Sequence, residues 1–277
     1  MKVATNNVRQ LLTYKKVQWK VGDYLTFERL EQVNSQSIFP KTNQNFYATY
    51  MKRVIDFCFA LLALIITLPI NLIIAIVTFF EVGRPIFFVQ ERTGRDGKSF
   101  KIVKFRNMRN AFNEYGEPLP AKDRVTKWGK FFRETSLDEL LNFWTILKGD
   151  MSLIGPRPLP PQYINRYSER HKCRLNLRPG LECPPKDKSS NIRTWQDQFE
   201  NDVWYVENVS FFVDCKMMLN LIFFALDRKN SKVRGGAQRG SFIGYSENGE
   251  AISVNELSDA YAEQVISQLD LKDYASI

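Results

Sequence analysis

Residues Phe57 to Phe80 form an uncharged, apolar run of 24 residues in a chain of 277, and such a run has few places to go. At about 1.5 Å per residue, a straight helix of that length matches a hydrocarbon core of about 30 Å. Pro69 stands near its middle, where it removes a backbone hydrogen bond and crowds the preceding turn. Thr67 and Asn71 add polar side chains at the same depth. Two outcomes stay open: a single span, or a helix that breaks near Pro69 and returns to the face it entered, with buried polar groups re-satisfying the freed backbone. Basic residues flank both ends, Lys52 and Arg53 before and Arg84 and Arg92 after, which suits a segment whose two ends are cytoplasmic. Residues 1–50 are polar and charge-mixed with no apolar h-region, so no signal peptide is expected there.

The chain as a whole is too polar for a multi-pass transporter, at a mean hydropathy of −0.31. A formal charge of +9 implies an anionic partner: nucleic acid, a phosphorylated substrate or acidic headgroups. Lysine and arginine outnumber the acids between Arg84 and Arg133. The single histidine, His171, leaves little room for imidazole chemistry. Cysteines 58, 173, 183 and 215 contain no Cys-x-x-Cys pair, so neither a zinc knuckle nor a disulfide framework is indicated, and free thiols suit a reducing compartment. Carboxylates and arginines must carry any reaction.

Val17–Val33 fits either a hairpin or one helix. Pro85–Arg92 and Phe100–Arg106 read as two strands of a hairpin turning at Asp96-Gly97, with a basic face of Arg92, Lys101, Lys104 and Arg106. Residues 110–124 read as a loop. Helices are expected at 137–148, 158–177, 195–206 and 211–226, the last apolar enough to lie in a core or at a lipid interface. The tail beyond Arg228 turns Gly-rich and ends in an amphipathic segment at 254–271.

Two motifs concentrate chemistry. Ser136-Leu-Asp-Glu139 fits a capping box, and a helix start also offers free N–H groups and partial positive charge. These keep a neighbouring carboxylate ionised and bind phosphate oxygens, and an ionised aspartate there can attack phosphorus. In Gly149-Asp-Met-Ser-Leu-Ile-Gly-Pro-Arg-Pro158, prolines 156 and 158 hold Arg157 in a fixed direction, as suits a guanidinium that forks onto phosphate.

From Lys52 to about Lys216 the chain resembles the bacterial sugar transferases, the monotopic polyprenyl-phosphate phosphoglycosyl transferases that begin surface-glycan assembly. The resemblance rests on Lys52-Arg-Val-Ile-Asp56 before a proline-broken apolar helix and on Pro85-Ile-Phe-Phe-Val-Gln-Glu-Arg-Thr-Gly94. It continues through Phe100-Lys-Ile-Val-Lys-Phe-Arg-Asn-Met108, Ser136-Leu-Asp-Glu-Leu140, Lys148 to Leu159, and Asp202-Val-Trp-Tyr-Val-Glu-Asn-Val-Ser-Phe211. It implies an α+β fold with a re-entrant membrane helix-break-helix over 51–81 kinked at Pro69, interfacial amphipathic helices, and a small cytosolic head over 82–228 with a β-hairpin. Residues 1–50 and 229–277 become a polar N-terminal and a C-terminal extension.

The implied reaction moves sugar-1-phosphate from a UDP-sugar to undecaprenyl phosphate, releasing UMP with Mg²⁺, at the cytoplasmic face of a bacterial inner membrane. It is the first membrane step of exopolysaccharide, capsule, O-antigen or glycoprotein glycan synthesis. Asp138 would be the nucleophile, Glu139 its partner at the metal, and Arg133, Arg157, Lys104, Arg106, Arg92 and Arg178 the phosphate- and substrate-binding cations. Partners implied are the two substrates, the membrane, downstream glycosyltransferases and a second copy of the chain, with no nucleic acid. One segment departs from the family. After Arg178-Pro-Gly180 the usual Thr, Gly, Gln and Arg positions hold Glu182, Cys183, Lys186 and Ser190, with Lys188 and Arg193 as candidate replacements for the arginine. That departure leaves the donor sugar open, and it motivates an alternative: a catalytically idle membrane scaffold that binds lipid phosphate or partner enzymes.

Overall fold

A computed structural model of the chain describes residues 8–9, 11–112, 119, 121–186, 192, 194–226 and 240–269. Helix α1 (Lys15–Gln36) is followed by a wide π-type turn (Tyr47–Met51) that runs into the apolar helix α2 (Lys52–Val82). Strands β1 (Phe87–Thr93) and β2 (Ser99–Phe105) make an antiparallel hairpin. Helices α3 (Lys127–Thr135) and α4 (Asn142–Lys148) follow, then the parallel pair β3 (Ser152–Ile154) and β4 (Gly180–Glu182). Helices α5 (Trp195–Asn208) and α6 (Phe211–Leu226) precede a second hairpin, β5 (Phe242–Tyr245) and β6 (Ala251–Ser253), and helix α7 (Asp259–Gln268). Among the described residues, the mixture of helices with three small two-stranded sheets is the expected α+β class.

Val17–Val33 lies within one helix. Val17, Val21 and Leu25, at a spacing of four, are buried against Ile243, Val254, Leu257, Ala262, Val265 and Ile266. The start and the end of the chain therefore share one core. Its neighbour is aromatic: Tyr163, Tyr167, Trp195, Phe199, Phe242 and Tyr245 cluster with Trp19, Leu30 and Val33, and the Phe199 and Phe242 rings meet edge-on at 5.0 Å. Arg166 threads between the two cores with 2% of its surface exposed. It donates to the Trp19 and Phe242 carbonyls at 2.8 and 3.3 Å and to Asp23 at 2.8 Å. Gly22 makes room for it, because a Cβ there would lie 2.4 Å from the guanidinium carbon.

Helix α2 is long and apolar enough to cross a membrane, and it continues through Pro69. Thr67 donates to the Ala63 carbonyl at 2.7 Å, and Asn71 reaches the Thr67 hydroxyl at 3.4 Å. The polar side chains at mid-helix thus link to each other and to the Ala63 carbonyl, not to the Ile65 carbonyl whose usual donor proline removes. Both ends of α2 are tied to the same head. Lys52 pairs with Asp214, Arg53 donates to the Ile146 and Leu147 carbonyls, and Asp56 accepts from the Leu153 N–H. At the far end Ile74 packs on Phe105 and Phe132, and Arg106 donates to the Val82 carbonyl at 2.6 Å.

Several local expectations are corrected. Residues 158–177 are not one helix but a 3₁₀ stretch (Pro161–Arg166), one α-turn (Glu169–Lys172) and a second 3₁₀ turn (Cys173–Asn176). Pro158, Pro160 and Pro161 start the stretch without backbone donors, and Tyr167 is extended before Ser168 caps the α-turn. The expected helix over 137–148 begins only at Asn142. The tail also contains strands β5 and β6, which its Gly-rich composition concealed. In the first hairpin Lys101 lies opposite Glu91 on one face, while Arg92, Phe100 and Lys104 share the other.

His171 has a structural place. The Tyr245 hydroxyl accepts from the Ser168 N–H at 2.8 Å and lies 2.9 Å from His171 Nδ1, while Nε2 faces Glu200 at 3.1 Å. The hydroxyl's one proton goes to Nδ1, leaving Nε2–H to donate to Glu200. Burial keeps the imidazole below its ordinary pKa despite the Glu200 charge. Tyr245→Phe keeps the ring and removes both bonds, so it should lower stability by about 1–3 kcal/mol. Unfolding of the detergent-solubilised protein checks this, and an unchanged midpoint would show that these bonds do not hold the second hairpin on the head.

Candidate active site

The carboxylate pair is aimed by a reversal of the chain, and the capping box is not what aims it. Ser136 ends α3 in the left-handed region (φ 57°), and its side chain makes no cap bond. The chain then makes a single 3₁₀ turn, Leu137–Glu139. Leu137, Leu140 and Leu141 pack on Ile74, Phe105 and Phe132, which fastens the turn to the second half of α2 and turns Asp138 and Glu139 towards the first hairpin.

Asp138 is 6% exposed, and its Oδ2 accepts from Asn107 at 3.0 Å. Its pKa is pushed up to about 6, by burial first and then by the Glu139 charge, against the pull of Lys104 and Arg133. Glu139 goes the other way. Burial raises it, but the Arg157 guanidinium and the Lys104 ammonium outweigh burial and hold it below the ordinary value. The Lys104 ammonium bonds Glu139 directly, and Arg157 Nη2 lies 3.6 Å from the same oxygen. Lys104 reaches Glu139 because the hairpin register puts it on the same face as Arg92. Arg92 donates to Gln90 Oε1 at 2.6 Å, and burial and the neighbouring Arg157 charge lower its pKa.

Arg157 comes from the loop after β3. The parallel register pairs Ile154 with Glu182; the backbones approach so closely that a Cβ on Gly180 would sit 2.1 Å from the Gly155 nitrogen. Arg157 Nη1 lies 2.6 Å from Glu182 Oε2, and the Glu182 charge is the main reason its pKa is raised. The loop is held from behind by Arg174, which is buried, donates to the Arg157 carbonyl at 2.7 Å and to the Tyr167 hydroxyl at 3.0 Å, and pairs with Asp202 at 2.9 Å.

Of the residues expected from sequence, Asp138, Glu139, Lys104, Arg92 and Arg157 converge. Arg133 stands exposed at the end of α3, near enough to influence Asp138. Arg106 and Arg178 are engaged by backbone, at the Val82 carbonyl and, at 3.0 Å, the Gly149 carbonyl. Pro69 stays within α2. Sequence reasoning missed Asn107, Glu182 and the Arg174–Asp202 brace. Asn107 follows directly on the basic strand, and Glu182 opens the segment noted as departing from the family. Lys188, Ser190 and Arg193 of that segment lie outside the described residues.

Among the described residues no group of three or more His, Cys, Asp or Glu gathers to hold a metal. Two adjacent carboxylates do suit Mg²⁺, which keeps several waters and takes one or two carboxylates together with substrate phosphates. The donor set therefore fits that ion only in company with a phosphorylated ligand.

The bacterial sugar transferase family model matches residues 47–228. A Bacillus subtilis (strain 168) protein named as an uncharacterized sugar transferase, EpsL, is 40% identical over 168 residues, 61% of this chain and 83% of its own length. The UDP-N-acetylgalactosamine-undecaprenyl-phosphate N-acetylgalactosaminephosphotransferase of Aeromonas hydrophila is 31% identical over 62% of this chain and 43% of its own length. The UDP-glucose:undecaprenyl-phosphate glucose-1-phosphate transferase of Escherichia coli (strain K12) is 30% identical over 73% of this chain and 47% of its own length. The chain thus spans less than half of those two longer relatives. With its carboxylate pair, its cation ring and its apolar helix all inside the matched region, the chain belongs to the bacterial sugar transferase family.

Proposed function

We propose that this chain transfers sugar-1-phosphate from a UDP-sugar to undecaprenyl phosphate and releases UMP. The observation that carries the reading is the position of Asp138: a buried carboxylate among Lys104, Arg92 and Arg157, on a turn packed directly against the apolar helix. A lipid-borne acceptor and a water-borne donor can meet at such a place. The names of the relatives, which act on UDP-sugars and undecaprenyl phosphate, agree with it.

In the first step an Asp138 oxygen attacks the phosphorus that bears the sugar. The new O–P bond forms as the bond to the bridging oxygen breaks, and UMP leaves with that oxygen. In the second step a phosphate oxygen of the lipid attacks the same phosphorus and the Asp138 O–P bond breaks, giving the lipid diphosphate sugar and the free carboxylate. Asn107 orients Asp138; Lys104, Arg92 and Arg157 neutralise the phosphoryl oxygens, with Arg133 at the rim. Glu139 holds Lys104 and Arg157 in place. Mg²⁺ on Asp138 and Glu139 would add further charge neutralisation when bound.

The apolar helix is proposed to re-enter the cytoplasmic face near Pro69. Residues 52–56 and 74–82 touch the same head. Along a straight helix those contacts would stand from about 27 Å (Asp56 to Ile74) to about 45 Å (Lys52 to Val82) apart, a distance comparable to a bilayer core of about 30 Å. Between them Leu62, Ile65, Ile66, Leu68, Leu72 and Ile73 are exposed and suit lipid.

Purified protein given a panel of UDP-sugars, undecaprenyl phosphate and Mg²⁺ should release UMP with one donor or a few; no UMP with any donor would favour the idle scaffold. Asp138→Asn should lower turnover by roughly three orders of magnitude or more, and mass spectrometry with donor alone should find a phosphosugar adduct in the wild type only. An active Asn variant would sink the nucleophile assignment. Arg157→Lys keeps the charge and loses the fork, so kcat/KM should fall about ten- to a hundredfold. Topology is read from Lys41→Cys and Lys98→Cys on a background lacking the four native cysteines. Both should resist an impermeant thiol reagent in intact spheroplasts, and labelling at position 41 alone would establish a spanning helix.

A further inference from the structure

We propose that Glu182 is a built-in competitor of the donor: it holds the Arg157 guanidinium in the free protein, yields it to the incoming diphosphate, and takes it back as the nucleotide leaves. The inference rests on the donor reading above and concerns how tightly that donor, and its product, are held.

Both arms of the Arg157 fork are engaged. Nη1 lies 2.6 Å from Glu182 Oε2, and Nη2 faces Glu139 Oε1 at 3.6 Å. A phosphate that takes the Nη1–Nη2 edge of the guanidinium in bidentate fashion displaces Glu182 from Nη1. Glu139 is the harder to move, because Lys104 grips the same oxygen and its side chain is 21% exposed. Glu182 and Arg157 are 28% and 40% exposed, so this contact opens to solvent. Among the described residues, the Glu182 carboxylate accepts, apart from Arg157, a bond from the Cys183 N–H at 3.2 Å.

Glu182 cannot drift far once displaced. The parallel register fixes its backbone across from Ile154, and the Gly155 N–H donates to the Glu182 carbonyl at 3.2 Å. Its carboxylate therefore stays at high local concentration beside the arginine, ready to return. It also sets the charge the donor meets. With all groups ionised, the four cations Lys104, Arg92, Arg157 and, at the rim, Arg133 face the three carboxylates Asp138, Glu139 and Glu182, which leaves one net positive charge. Without Glu182 the same cluster carries two. Glu182 thus lowers the charge that a diphosphate meets, so its ground-state binding is weakened in favour of release.

This role has a sign opposite to that of a prop. If Glu182 only steadied Arg157 for phosphate, removing its charge would weaken nucleotide binding. As a competitor, Glu182→Gln should bind UDP and UMP more tightly, on the order of tenfold, with slower nucleotide dissociation and a lower donor KM. Glu182→Asp, which keeps the charge, should stay within about threefold of wild type on the same scale. Titration calorimetry of UDP and UMP on nanodisc-embedded wild type, Glu182→Gln and Glu182→Asp measures this, with unfolding midpoints to show that each variant is folded. In protein that releases UMP from a UDP-sugar, unchanged or weaker nucleotide binding by folded Glu182→Gln overturns the competitor role and leaves the transferase reading intact. Absence of both UDP binding and UMP release in every variant overturns the transferase reading, and this inference with it.

Discussion

One buried ion pair decides where the apolar helix meets the head. Asp214 on α6 takes the Lys52 ammonium and the Tyr47 hydroxyl (2.6 Å) on one oxygen and the Tyr205 hydroxyl (2.7 Å) on the other. The Lys52 and Asp214 side chains are only 9% and 10% exposed. Charges so enclosed are tolerable only when fully partnered, and removing one partner of such a pair costs about 3–5 kcal/mol. The pair pins the start of α2 to α5 and α6, and Arg106 caps its other end, where the Val82 carbonyl would otherwise lack a donor. With both ends held by one head, the middle of the helix keeps Leu62, Ile65, Ile66, Leu68, Leu72 and Ile73 exposed, an apolar surface of the kind that marks an interaction site.

The turn that carries Asp138 and Glu139 inherits its position from that arrangement. Its three leucines pack on the second half of α2 through Ile74, Phe105 and Phe132, so any movement of the helix would carry Asp138 with it. Around the turn, charges alternate: Lys104, Glu139, Arg157, Glu182. An alternating row compensates each charge at short range, from the half-buried Lys104–Glu139 pair to the more open Arg157–Glu182 pair. Burial and the Glu139 charge then act on Asp138 in the same direction, and its pKa rises while that of Glu139 falls. Two adjacent carboxylates are thereby made chemically unequal, one more basic and one locked into pairing with cations.

Much of this was legible in the chain because it is local. The hairpin followed from alternation and Asp96-Gly97, and the long apolar helix α2 from its uncharged run of residues. The five converging site residues followed from short motifs. What escaped depends on contacts distant in sequence. Ser136-Leu-Asp-Glu139 satisfies the capping-box pattern, yet Ser136 closes the preceding helix instead, because the leucines that follow are claimed by α2. The parallel pairing of β3 and β4 joins segments 28 residues apart through two glycines, a closeness that no periodicity announces. Arg174 and Asp202 look like ordinary surface charges in the sequence, and only the fold buries them together.

The chain ends show the same limit from another side. Each was a polar or Gly-rich segment with no motif, and both lie outside the stretch matched by the family. Together they bury Val17, Val21, Leu25, Ile243, Val265 and Ile266 in one core, which neither end could close alone, since each offers a single apolar stripe. The shared core then leans on the head through Trp19, Phe242 and Tyr245 and through Arg166, whose guanidinium bonds both ends at once. The edge of the family match is thus not an edge of packing. The 3₁₀ stretch that carries Tyr163 and Arg166 follows Arg157 in the chain, and between the two the Leu159 carbonyl accepts from the Thr93 N–H of β1 at 2.9 Å. A backbone seated on the terminal core at one end and on the site hairpin at the other couples the two mechanically, so the cations around Asp138 and Glu139 are steadied by residues from both flanks of the family match.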